Sequence, residues 1–160
     1  MEMDKCAFEE AYKSVYREMF YFALYTLGRR LDAEDAVSEA VADAWQNKEK
    51  LRREESFKPW IFSILTIKCK RKLKEYTDQT VELNEEIFSQ NKEEAWNVEE
   101  QQDVRNAFSK LGGQERMIIS LSVFGGYNSQ EIGKILFLKS ATVRSKLARA
   151  LNKMERELEG

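Results

Sequence analysis

The chain has 160 residues, with 28 Asp and Glu against 26 Lys and Arg, a formal net charge of −2 and 42% hydrophobic residues, which suits a soluble globular protein of one domain or two small ones. It contains no histidine, which excludes a Ser/His/Asp triad, a histidine general base and the usual histidine-containing zinc site. Cys6 and Cys69 stand far apart without a CxxC partner, so no disulfide framework, metal cage or cofactor is expected.

The opening MEMDKCAFEEAYK places acids where a secretory signal needs a basic segment and an apolar run, and no stretch reaches membrane-spanning length. The expectation is a cytoplasmic protein with no membrane contact. One proline and seven glycines leave little chemistry for hairpins, while apolar residues recur at helical spacing nearly throughout. The fold class is therefore all-α, two small helical domains joined by a linker, the C-terminal one containing a helix-turn-helix.

The first helix is expected from Phe8 to Leu27, with Phe8, Tyr12, Val15, Met19 and Phe22 on one face and Gly28 placed to end it. In DAEDAVSEAVADAW, Asp32 and Asp35 suit the N-cap and N3 positions. Ala36, Val37, Ala40, Val41, Ala44 and Trp45 then form an apolar stripe, opposite an acidic face of Glu34, Asp35, Ser38, Glu39 and Asp43. A third helix begins near Phe57, with Pro59 tolerated in its first turn because that amide lacks a partner anyway. Lys68, Lys70, Arg71, Lys72 and Lys74 crowd its end. Trp60 and Phe62 cannot share the stripe of Ile61, Ile64 and Leu65 equally, so one aromatic is a candidate for the surface. Aromatics beside cations suit unstacked single-stranded bases, by stacking and by phosphate neutralisation; two core aromatics are an equally fair reading.

Residues 79–102 turn acidic and read as a linker between a domain over 1–78 and another over 103–160. In the second domain, Asn128 and Glu131 suit a capping box. Ile132, Ile135 and Leu136 form a buried stripe, and Gly133 leaves room for another helix. Phe137, Leu138 and Lys139 make a short turn. Ser140 is expected as the next N-cap, and Val143, Leu147, Leu151 and Met154 as the apolar face of the last helix. The side opposite that face carries Ala141, Ser145 and Ala148, with Thr142, Arg144 and Arg149 around them and Lys146 nearer the flank. Small central residues permit close approach, and flanking cations reach phosphates, so this surface fits duplex DNA.

Two separated segments carry a family resemblance. DAEDAVSEAVADAW with SFKPWIFSIL resembles conserved region 2 of bacterial RNA polymerase sigma factors of the extracytoplasmic function type. The stretch from AFSKLGGQERMIISLSVFGGYNSQEIGKIL to SATVRSKLARAL is similar to their region 4. The resemblance implies a transcription-initiation subunit rather than an enzyme, whose partners are core RNA polymerase, through its β′ and β subunits, and promoter DNA. An anti-sigma factor is a further partner that it allows.

By that resemblance Asp35, Ser38, Glu39, Ala42 and Asp43 would bind core polymerase. Trp60, Phe62, Ser63, Thr66, Ile67, Lys70, Arg71 and Lys74 would hold the start-proximal minus-ten element. Ser140, Ala141, Thr142, Arg144, Ser145, Lys146, Ala148 and Arg149 would read the upstream minus-thirty-five element. Thr66 and Ile67 stand where family members often carry Arg and Asn, Phe137 where the turn usually has Gly, and LGG from Leu111 where Leu-Pro is familiar. Besides this reading stand a helix-turn-helix regulator that works without the polymerase and a helical adaptor that binds only protein.

Overall fold

The structure is a computed structural model that describes residues 3–78 and 99–159. The described residues form seven α-helices and two single turns of 3-10 helix, at Lys48–Lys50 and Glu54–Ser56.

Helix α1 spans Lys5–Leu27, starting three residues before the expected Phe8 because the Asp4 carboxylate accepts the Ala7 N–H at 2.8 Å. Gly28 ends it at φ 80°, returning its N–H to Leu24 O at 2.8 Å. Helix α2 spans Arg30–Gln46, so the connection is two residues long and Asp32 falls inside the first turn rather than at the N-cap. The brevity of that joint brings the start forward. Arg29 precedes the helix without a side-chain cap, and Asp32 instead accepts a hydrogen bond from the Tyr76 hydroxyl. Helix α3 spans Phe57–Asp78 and includes Pro59 in its first turn.

The acidic segment 79–102 lies outside the described residues except at its end, where helix α4, Glu99–Ser109, has already begun. Helix α5 spans Gly113–Val123. Its start is firmer than two glycines suggest. The Glu115 carboxylate accepts the Gly112 N–H at 3.1 Å and the Lys153 ammonium at 3.0 Å, while Arg116 Nη1 donates to Leu111 O at 2.7 Å.

Helix α6 spans Ser129–Leu136, and its capping box is reciprocal: Asn128 Oδ1 accepts from Glu131 N, and Glu131 Oε1 from Asn128 N, each at 2.9 Å. Helix α7 spans Ser140–Glu159. Ser140 is thus the first helical residue rather than the cap, and its hydroxyl accepts from Arg144 Nη1 at 3.3 Å. The turn between them folds tightly on Gly133, where a Cβ would lie 2.5 Å from Leu138 O. Gly133 therefore admits the turn's own carbonyl, not another helix. Phe137 takes the left-handed backbone, φ 59° and ψ 44°, which costs a non-glycine residue roughly 1–2 kcal/mol. Along α7 the buried face runs through Val143, Leu147, Ala150 and Met154; Leu151, expected there, points to solvent. The small Ala150 lets α7 close on Tyr25 and Phe108.

The two helical units share their interior. One apolar cluster runs from Phe8 and Met19 through Phe62 and Leu65 to Ile132 and Val143. Phe62 meets Tyr127 edge to face at 5.6 Å between ring centres, and Tyr25 lies 4.8 Å from Phe108. Arg116 is fully buried, and its Nε donates to Thr26 O at 3.0 Å across the two halves. Burial lowers its guanidinium pKa to about 10, the neighbouring Tyr76 opposing that shift. Cys69 is buried as well, which pushes its thiol up and leaves it inert; Cys6 is exposed and both are free.

Candidate nucleic-acid interface

The cations at the end of α3 divide by helical register. Lys68 and Lys72, one turn apart, face α2: Lys72 Nζ lies 2.6 Å from Asp35 Oδ2 and 3.7 Å from Glu39 Oε2, and Lys68 Nζ 3.1 Å from Asp43 Oδ2. Burial alone would lower the Lys72 ammonium, but the Asp35 hydrogen bond and the charges of Asp35, Glu39 and Asp32 outweigh it and raise its pKa. Lys70, Arg71 and Lys74 are turned away and exposed. They continue a stripe at helical spacing that runs from half-buried Trp60 and Ser63 through Ile67, which is 50% exposed.

Phe62 and Thr66 leave the set. Both are completely buried, because they fall on the opposite side of α3, where Phe62 stacks edge-on with Phe22 at 5.8 Å and with Tyr127. Trp60 is the surface aromatic of the pair. The Thr66 hydroxyl has no hydrogen-bond partner among the described residues, so this side chain fills space as a valine would.

On α2 the apolar stripe is seated as expected, with Ala33 added at its start. Asp35, Ser38, Glu39 and Ala42 are exposed and Asp43 is half-buried. They form two edges. Asp35, Glu39 and Asp43 border α3 and its lysines, whereas Ser38 and Ala42 border a groove completed by Glu9 and Tyr12 of α1 and by Trp45. The sequence reading passed over the α1 side of this groove, since Tyr12 belongs to the same register as the core residues Phe8, Val15 and Met19.

On α7, Ala141, Arg144, Ser145, Ala148 and Arg149 are exposed, and Ser140, Thr142 and Lys146 are half-buried. Val143 anchors the opposite face with no exposure. Lys146 is held by a hydrogen bond to Gln114 Oε1, which places it on the flank of that face. The expected face is thus presented as one patch of small residues with arginines at two levels. No group of three or more acids or thiols among the described residues is arranged to hold a metal ion.

Residues 11–78 match Sigma-70 region 2, and residues 101–154 match Sigma-70, region 4. The chain belongs to the sigma-70 family. Members of that family are transcription-initiation factors of RNA polymerase rather than enzymes. This sigma-family chain is 29% identical over 135 residues to the probable RNA polymerase sigma factor RfaY of Xanthomonas campestris, an alignment covering 79% of this chain and 34% of that protein. It therefore spans about a third of that relative's length. It is also 29% identical over 133 residues to the RNA polymerase sigma factor SigV of Bacillus subtilis, covering 79% of this chain and 76% of SigV. Among solved structures, the sigma factor RpoE of Bartonella quintana, in complex with the anti-sigma factor NepR, superposes with a TM-score of 0.78 over 95% of this chain and 96% of that one. At 18% identity that likeness concerns the fold.

Proposed function

We propose that this chain binds core RNA polymerase and gives it promoter specificity, acting by binding alone with no chemistry of its own. The observation that supports this best is the pairing of two separate DNA-suited surfaces with two sigma-region matches in the same order along the chain. The α1/α2 groove with Ser38 and Ala42, and the adjoining acids Asp35, Glu39 and Asp43, dock on the polymerase, where negative charge steers a basic partner. Trp60, Ser63, Ile67, Lys70, Arg71 and Lys74 hold the melted start-proximal element, the aromatic by stacking and the cations on phosphates. Ala141, Thr142, Arg144, Ser145, Ala148 and Arg149 read the upstream element in the major groove, with Ser140 and Lys146 at its margins.

The chain acts in the cytoplasm, where its polymerase is; among the described residues no helix is long and apolar enough to cross a membrane. The solved complex of RpoE with NepR supports an anti-sigma factor as a further partner. The test is to add the purified chain to core polymerase and map the 5′ ends of transcripts from genomic DNA. New starts that share two upstream motifs are expected. Operator binding by the chain alone, with no polymerase association, would replace this reading with that of an independent helix-turn-helix regulator.

A further inference from the structure

The turn between α6 and α7 holds a side chain that contributes nothing to the fold. Phe137 is 85% exposed, the largest exposure among the big apolar residues described. Its backbone is left-handed, a conformation that only glycine adopts freely. That conformation is imposed from outside the residue: the Phe137 and Leu138 N–H groups both return to Gly133 O, the latter at 2.8 Å, and Gly133 has no side chain to keep Leu138 O away. A glycine at 137 would satisfy the same turn without strain and without an apolar ring in water.

What surrounds the ring is specific. It borders an open hollow with Gln130, Lys134, Lys139 and Ser140, and no acid lines it. Lys134 and Lys139 are exposed, and Ser140 begins the recognition helix, one turn before Arg144. An exposed ring between cations, continuous with a surface suited to the major groove, matches one class of partner. Its apolar face suits deoxyribose and thymine methyl groups, and its two lysines suit the adjoining phosphates.

We propose that Phe137 is a DNA-contacting residue, which extends the upstream reading surface from α7 back across the turn to Lys134 and Lys139. This rests on the proposed sigma-factor function and adds to it a contact that neither helix of the motif supplies.

The test uses holoenzyme reconstituted from core polymerase and the full chain, carrying wild type, Phe137→Gly or Phe137→Tyr, with binding measured on promoter duplex. The melting temperature of each free chain is measured in parallel. Phe137→Gly should melt higher than wild type, because the turn is relaxed, yet bind promoter about tenfold more weakly, the loss expected for one direct contact. Phe137→Tyr should keep most of the affinity, and core association should be unchanged in both. Promoter affinity of Phe137→Gly equal to or above wild type overturns the proposal, and so does a loss confined to core association, which would assign the ring to a protein surface. If wild-type holoenzyme itself shows no promoter specificity, the sigma-factor reading fails first and the ring's role in it falls too.

Discussion

Arg116 shows how a charged residue can be committed to structure. Its guanidinium donates to Leu111 O and Thr26 O with no exposure to water. Arg116→Met would fill the volume but leave those carbonyls buried and unserved, at about 1–3 kcal/mol for a stranded group. Denaturant titration should show that loss with the helix content of the folded state unchanged. Thr66 is the opposite case. Thr66→Val removes a buried hydroxyl that has no partner among the described residues, so the unfolding midpoint should hold or rise and promoter choice should not move; a changed promoter preference would return Thr66 to the DNA surface. Glu115 gives the acid limb of stability its sign. Burial alone would raise its carboxyl, but the Lys153 ammonium and the Gly112 N–H hold it below the usual carboxylate range. Its contribution is therefore complete above the ordinary carboxylate value and lost as pH falls through the lowered one. Thermal melts across that range should lose less stability on acidification in Glu115→Gln than in wild type.

At the scale of elements, the pairing of α2 with α3 explains which expectations were readable. Helical periodicity separated apolar from polar faces correctly on α2 and α6, because one buried stripe dominates each of them; on α1 the stripe holds only as far as Met19, and from Phe22 to Leu27 every residue is buried. On α3 the cations looked like one patch, and only the packing against α2 reveals that Lys68 and Lys72 serve its acids while Lys70, Arg71 and Lys74 remain outside. Phe62 was misplaced for a related reason: its face is covered by Tyr127, a residue 65 positions later that no local window contains. Asp35 is 60% exposed in its pair with Lys72, so a double-mutant cycle of Asp35→Asn and Lys72→Gln should return a coupling of only about 0.2–1 kcal/mol. The raised pKa of Lys72 keeps that coupling intact through neutral pH; it fades only as pH rises through the raised value. Docking is better tested at the other edge of α2. Ala42→Arg touches no ion pair and should abolish core association while leaving the melting curve unchanged.

At the scale of the molecule, the two helical domains expected from the sequence pack on each other through one apolar interior. Composition shows a boundary where charge changes, but it carries no signal for a core assembled from both sides of it. Phe62 sits in that shared interior, with no exposure, against rings from both halves. Phe62→Ala should cost about 3–5 kcal/mol, and calorimetry should show one cooperative transition displaced as a whole; two resolved transitions would mean that each half holds itself.

The bond from Arg116 to Thr26 O also bears on how such a parting would be seen. Thr26 belongs to the last turn of α1, whose carbonyls have no partners further along their own helix. The second half of the protein thus supplies a cap to a helix of the first, from 90 residues away. Whatever draws the halves apart removes that cap, and the end of α1 frays at the Gly28 joint that aims α2. The amides around Leu27 become a native gauge of closure, their hydrogen exchange quickening in step with separation.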